Sequence, residues 1–181
     1  MSYAQITFEL LKFLTPYILA CVVYLFWHIQ KEKEVLATES KLLINRLNDV
    51  IDNSGEVFDL IAGLYLRKDN LLKEDFEFLK NRLINFKIKI DSAIDSLDFL
   101  SEAINDKQLN ESNINNSHKM LKVLQTYEIE VSSLEIQKQN LSIEELVEVH
   151  NNIVDVVNSV KSTYLEFALF RNRKFTTILG K

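Results

Sequence analysis

The stretch that decides the fold is FEFLKNRLINFKIKIDSAIDSLDFLSEAI, residues 76–104, where apolar side chains recur in alternating steps of three and four. This spacing repeats every seven residues and places the apolar positions on one side of an α-helix. We therefore predict a helix of about 33 residues with one continuous apolar stripe, called here the heptad seam. The seam consists of Phe76, Leu79, Leu83, Phe86, Ile90, Ala93, Leu97, Leu100 and Ile104.

Apolar residues repeat at helical spacing along the rest of the chain as well. Three further sets have this spacing. The first is Leu36, Leu43, Leu47 and Val50, and the second is Met120, Leu124, Tyr127, Val131 and Leu134. The third is Leu146, Val149, Ile153, Val156, Val160, Tyr164 and Phe167. Ser142 followed by Glu145 forms a capping box, which predicts the start of the last helix. The sequence thus indicates four rods, at residues 33–67 (one bent helix or two), 72–104, 117–139 and 142–170.

The segments between the apolar sets define the predicted connections. Residues 52–55 (DNSG) are predicted to break the first rod, and Asn70 is a candidate cap for the second. Residues 105–116 are polar, rich in asparagine and aperiodic, which predicts a loop. The links 68–71 and 140–141 are short enough to make their flanking helices antiparallel neighbours. The predicted fold class is all-α, with an N-terminal single transmembrane helix followed by an antiparallel four-helix bundle with coiled-coil-like heptad seams.

Composition excludes several other classes of protein. The 181 residues include only three glycines and one proline, too few for the many turns of an all-β fold. The glycines are isolated in sequence, which excludes a phosphate-binding glycine loop. The single cysteine excludes a disulfide framework and a cysteine-based zinc site. The net charge of −5 argues against general nucleic-acid binding, which needs a broad basic surface.

A strongly apolar stretch lies near the N-terminus, ITFELLKFLTPYILACVVYLFWHI at residues 6–29, with Glu9 and Lys12 as its charged residues. A helix of about 24 residues is roughly 36 Å long, which is enough to cross the hydrocarbon core of a bilayer. Tyr24 and Trp27 lie at its C-terminal end, where amphipathic rings favour the headgroup layer. We therefore predict a single transmembrane helix.

Pro16 leaves two arrangements open for this stretch. We favour one kinked spanning helix, because proline is tolerated in membrane helices. In the other arrangement an interfacial helix at 3–14 precedes a helix that starts at Pro16, which has only about 14 apolar residues and is too short to span. The residues expected to anchor the helix in lipid are Phe13, Pro16, Tyr17, Tyr24 and Trp27.

The apolar stretch is expected to remain as an anchor rather than to be cleaved. Cys21 follows residues that resemble a lipoprotein cleavage box, but cleavage there would leave the apolar sequence VVYLFW near the new N-terminus. More positive residues follow the span than precede it, and positive residues stay on the cytoplasmic side. The predicted localisation is the cell (inner) membrane, single-pass, with the C-terminal domain in the cytoplasm.

The predicted domains are a membrane anchor at 1–32, a cytoplasmic helical bundle at 33–170 and a basic, apolar C-terminal tail at 171–181. Successive helices of this bundle run alternately away from the bilayer and toward it, so the C-terminal end of the last helix is expected near the bilayer. We expect the tail to contact anionic headgroups there. The alternative is a frayed terminus whose cations suit a helix C-terminus. The residues expected to contact the membrane surface are Arg171, Arg173, Lys174, Phe175 and Lys181.

The sequence contains no recognisable set of reactive residues. Near His150, Val147 occupies the position where di-iron bundles need a glutamate. An acidic stripe alternates with the heptad seam, which is the pattern of a solvated helix face. Its residues are Asp91, Asp95, Asp98 and Glu102. We predict no catalytic residue, no metal ligand and no cofactor, and the chain is not expected to be an enzyme.

The leading hypothesis for function is a non-enzymatic, membrane-tethered interaction module, an adaptor, regulator or sensor that binds a protein partner at the membrane. The alternative is a membrane-perturbing effector, such as a toxin or a bacterial defence component, suggested by Pro16 and by the charges at the edge of the span. A third hypothesis is an enzyme with an active site in the bundle core. The expected partners are the lipid bilayer and a protein, and self-association is left open. No nucleic acid and no small-molecule substrate is expected.

Overall fold

The computed structural model describes residues 3–67, 73–136 and 139–169, and almost all of these residues are helical. α1 spans Tyr3–Leu66, α2 spans Lys73–Ile104, α3 spans Lys107–Glu135 and α4 spans Ile143–Ala168. The described residues contain no strand. The predicted all-α fold class is confirmed.

The four helices pack side by side around a common interior. α1 contacts α2 and α4, and α3 contacts the same two helices. Ion pairs between α1 and α2 establish their relative direction. Lys89 pairs with Asp49 at 2.8 Å, and Arg82 pairs with Glu56 at 2.9 Å, so residue numbers fall on one helix as they rise on the other. The two helices are therefore antiparallel, and the helix contacts are consistent with a four-helix bundle.

The interior is filled by the apolar positions that the helical spacing selects. Eight of the nine residues of the heptad seam are buried, and Ile104 at its C-terminal end is partly buried against the core. The other three helices contribute fully buried side chains such as Leu43, Tyr127 and Ile153. Removal of these apolar surfaces from water is the main force that holds the helices together. Coiled-coil-like interdigitation of the seams stays a prediction.

The predicted break at residues 52–55 is wrong, because α1 continues through it without interruption. The amide of Asn53 donates to the carbonyl of Asp49 at 2.8 Å, one helical turn earlier. The Ser54 hydroxyl is buried and lies against Tyr127 and His150 on other helices. Polar side chains that are typical of a turn are thus accommodated here by the helix itself and by tertiary contacts.

The predicted loop at 105–116 is also wrong, since α3 begins at Lys107. The turn between α2 and α3 consists of Asn105, which has a φ of 51°, and Asp106. The Asp106 carboxylate caps α3 by accepting the backbone N–H groups of Gln108 and Leu109. Asn113, in the first half of α3, is buried. The heptad pattern therefore continues through this segment with polar residues at interior positions.

The other predicted helix boundaries have mixed outcomes. The capping box at Ser142 is confirmed, since its hydroxyl accepts the Glu145 N–H at 3.1 Å and the Glu145 carboxylate accepts the Ser142 N–H at 2.7 Å. Pro16 lies inside α1 and does not end the helix. The candidate cap Asn70 lies outside the described residues.

α1 is much longer than its neighbours. Its 64 residues extend about 96 Å, whereas the 32 residues of α2 extend about 48 Å. Leu36 is the first buried residue among the α1 side chains that the structure describes, so the N-terminal half of this helix projects beyond the other three. A continuous helix therefore connects an isolated apolar segment directly to the packed core.

Candidate membrane segment and interaction groove

The projecting half of α1 exposes a long run of apolar side chains. Every large apolar side chain described between Phe8 and Trp27 is exposed. An 18-residue stretch of this helix has a mean hydropathy of 1.8, and none of it is buried against the described chain. Among the described helices, this one is long and apolar enough to cross a membrane. The predicted anchor residues Phe13, Pro16, Tyr17, Tyr24 and Trp27 all lie in this exposed segment.

Aromatic and charged side chains mark the end of the apolar segment. The rings of Tyr24 and His28 stack with centroids 6.1 Å apart. His28 also lies 3.4 Å from the Glu32 carboxylate, and Lys31 pairs with Glu34 at 2.8 Å. The hydrogen bond from Lys31 holds the pKa of Glu34 below its ordinary value. The change from apolar to paired polar side chains therefore occurs within about two helical turns.

The end of the bundle nearest this segment contains a buried polar layer. The Asn113 amide donates to the hydroxyls of Ser101 and Tyr164, each at 2.6 Å, and so links α2, α3 and α4. Burial raises the pKa of Tyr164, and its hydrogen bonds partly oppose the shift. Lys161 of α4 donates to Asn48 of α1 at 2.7 Å, whereas His150, which is earlier in α4, contacts Ser54, which is later in α1. α4 is therefore antiparallel to α1 and ends on the side of the projecting half. The predicted membrane-contact residues Arg171, Arg173, Lys174, Phe175 and Lys181 follow this end and lie outside the described residues.

A second polar layer lies midway along the bundle. The Ser54 hydroxyl is 3.4 Å from the Tyr127 hydroxyl and 3.2 Å from Nδ1 of His150. Burial raises the pKa of Tyr127 to about 12 and lowers the pKa of His150, although Asp59 acts on His150 in the opposite direction. The described residues contain no group of three His, Cys, Asp or Glu side chains that could hold a metal ion. His150 therefore belongs to a hydrogen-bonded layer that joins α1, α3 and α4.

A third polar layer lies at the far end, away from the projecting helix. The Tyr65 hydroxyl donates to Oε1 of Glu130 at 2.6 Å, and the Asn140 N–H donates to the same oxygen at 3.2 Å. Glu130 is 1% exposed, and burial raises the pKa of Tyr65. These contacts attach the α3–α4 connection to α1. Sequence reasoning missed Glu130, although it lies between the predicted core positions Tyr127 and Val131.

The acidic stripe on α2 is solvated, as its spacing predicts. All four carboxylates are on exposed residues: Asp91, Asp95, Asp98 and Glu102. The heptad seam on the same helix faces the core. The stripe therefore has the character of an ordinary outer helix face.

A groove with a volume of about 610 Å³ lies between α3 and α4. Three valines, Val123, Val149 and Val156, provide its apolar lining. Polar side chains from both helices line it as well: Asn116, Lys119, Lys122, Thr126, Glu145, Glu148, Asn152, Asp155 and Ser159. Basic side chains are on the α3 side and acidic side chains are on the α4 side. The groove therefore combines an apolar lining with positive charge along α3 and negative charge along α4.

Comparison with known proteins adds no functional assignment to this geometry. No family model, no curated protein and no solved structure matches the chain.

Proposed function

We propose that this chain is a non-enzymatic, membrane-anchored interaction module. The N-terminal half of α1 spans the bilayer once, and the helical bundle binds a protein partner at the membrane surface. The observation that carries the proposal is the exposure of every large apolar side chain described between Phe8 and Trp27. A contiguous apolar surface of this size is rare on soluble monomers and is typical of membrane or protein contacts.

The free energy of insertion favours this placement. Ten Leu, Ile, Val and Phe residues lie between Leu10 and Phe26, and at about 0.3–0.6 kcal/mol each for a central position they contribute at most about 3–6 kcal/mol. Lys12 lies toward the N-terminal end, where its ammonium group reaches the headgroups. Tyr24 and Trp27 lie near the other end, at the depth that amphipathic rings favour. The segment therefore fits a single spanning helix.

The anchor supports an interaction role because it limits how the bundle moves. α1 is continuous from the apolar segment into the core, so the bundle is held upright and close to the lipid. Confinement to a surface raises the effective concentration of the bundle for a partner in the same membrane. Lys31, Lys33 and Lys41 follow the span and favour a cytoplasmic bundle at the inner membrane. The basic tail at 171–181 then contacts anionic headgroups.

Membrane fractionation of the full-length protein tests the anchor. We expect the wild-type protein to remain in membranes after alkaline carbonate extraction and to need detergent for release. The double variant Leu19→Arg/Val22→Arg places two charges at the centre of the span, at about 2.5–3.5 kcal/mol each, and should lose this resistance. The matched control Val35→Arg/Leu42→Arg changes exposed apolar residues of α1 outside the span and should behave as wild type.

Two results contradict the proposal in different ways. A wild-type protein that is soluble without detergent refutes the anchor. A detergent-extracted protein that is monomeric and carries no bound protein refutes the interaction role. Overexpression that collapses the membrane potential would instead support the membrane-perturbing effector.

A further inference from the structure

The two sides of the α3–α4 groove carry opposite charges at the same height. The hydrogen bond between Asn113 and Tyr164 sets the register of the two antiparallel helices. Lys122 lies nine residues after Asn113, and Asp155 lies nine residues before Tyr164. Because helices rise equally per residue, Lys122 and Asp155 lie opposite each other across the groove. Both are exposed, and neither forms an ion pair with another residue of the described ranges.

Membrane anchoring restricts how a second copy can approach this groove. Two copies inserted in one bilayer point in the same direction, so a two-fold axis between them must run along the bundle. Rotation about that axis places α3 of one copy opposite α4 of the other, without a change in height. Lys122 of each copy then faces Asp155 of the other. The groove is therefore complementary in charge to its own copy.

The size of this face suits a stable dimer. Helices of 29 and 26 residues are about 40 Å long, and two adjacent helices are about 20 Å wide, which makes a face of about 800 Å². A standard protein interface buries about 800 Å² on each partner. Val123 and Val156, which are 6% and 7% exposed, and the partly buried Val149 form the floor of the groove, and charged and polar side chains form the rim that meets a partner.

We infer that the α3–α4 groove faces the same groove of a second copy of this chain, in a parallel dimer held by two reciprocal Lys122–Asp155 pairs. The inference rests on the proposed function, because the shared bilayer provides the parallel orientation. A dimer places the two anchors side by side and makes one continuous interface from four helices. Self-association is thus assigned to a particular face.

Charge exchange in the full-length protein tests the pairing, with the dimer dissociation constant measured by sedimentation in mild detergent. Lys122→Glu and Asp155→Lys each make both reciprocal pairs repulsive, and each should weaken the dimer by about tenfold or more. Mixing differently tagged copies of these two variants makes both pairs attractive again. The mixed dimer should form with an affinity within about threefold of wild type.

Glu148→Lys is the matched control. It makes the same kind of charge change in the same groove, but Glu148 lies about two turns from Asp155 and away from the height of Lys122. Mixing Lys122→Glu with Glu148→Lys should not restore the dimer, since one repulsive pair remains. Restoration by this control would overturn the pairing.

Other results separate this inference from the proposed function. A wild-type protein that resists carbonate extraction but is monomeric, or that binds a different protein through the groove, overturns the dimer and leaves the anchor intact. A dimer that neither variant weakens uses another face and also overturns it. If either single variant loses its helical circular dichroism, the double variant Lys122→Glu/Asp155→Lys takes its place, since it restores both attractive pairs between two identical chains. Failure of this double variant to dimerise would overturn the inference. A protein that is soluble without detergent refutes the anchor, whatever its oligomeric state.

Discussion

Replacement of Asn113 by alanine tests the buried polar layer formed by Ser101, Asn113 and Tyr164, of which Asn113 was predicted to lie in a loop. The Asn113 amide donates two hydrogen bonds of 2.6 Å, to the hydroxyls of Ser101 and Tyr164. The residue is 3% exposed, so water does not readily replace these bonds. The substitution therefore removes the link between α2, α3 and α4 and leaves two hydroxyls without this donor.

The magnitude follows from the two lost hydrogen bonds. Each is worth about 1 kcal/mol net, and a buried group left unsatisfied costs about 1–3 kcal/mol. We expect Asn113→Ala to lower the free energy of unfolding by about 2–4 kcal/mol and Tyr164→Phe to lower it by about 1–2 kcal/mol. The double variant should lose about 1 kcal/mol less than the sum, because both changes remove the same hydrogen bond.

Urea unfolding of the full-length protein in mild detergent, followed by far-ultraviolet circular dichroism, measures these differences. Asn115→Ala is the control, since Asn115 is exposed on the same helix and should change stability by less than about 0.5 kcal/mol. If Asn113→Ala behaves like this control, or if the double-variant effects are simply additive, the interior position of Asn113 is refuted. The start of α3 at Lys107 would then be in doubt as well.

Three further predictions concern the other new contacts. Asp106→Ala removes the α3 cap and should lower the free energy of unfolding by about 1 kcal/mol in the same assay. An unchanged free energy of unfolding would contradict a helix that begins at Lys107. The pKa of His150 is lowered from its ordinary value of 6.5, so at pH values between the two the unfolded chain binds more protons than the folded chain. The free energy of unfolding should therefore fall as the pH decreases from 6.5 toward the lowered pKa. His150→Gln should reduce the slope of this pH dependence. An unchanged slope would place the acid sensitivity elsewhere. Tyr65→Phe removes a hydrogen bond to the buried Glu130 carboxylate and should cost about 1.5–3 kcal/mol, and a neutral result would contradict that contact.

Strong apolar periodicity made much of the fold predictable. The seam from Phe76 to Leu100 is buried as expected, because a repeat of three and four leaves only one side of a helix able to exclude water. The Ser142 capping box is likewise local, since it satisfies backbone groups within one turn. The apolar segment before His28 needs only length and composition to be recognised.

The errors occur where polar residues occupy interior positions. Ser54 and Asn113 have the composition of a turn, yet both are buried and bonded to side chains from other helices. Their partners are 51 or more residues away in the sequence, except Ser101, which is 12 residues away. Local propensity counts such residues as helix breakers because it contains no information about these distant partners.

The sequence by itself determined that the chain is helical, which apolar positions face the core and which segment is apolar enough for lipid, because these depend on composition and on the helical period. Only the tertiary structure decided which polar side chains are interior and which residue of α4 lies opposite Lys122 of α3. That register depends on contacts such as Asn113 with Tyr164, which exist only after the helices have packed.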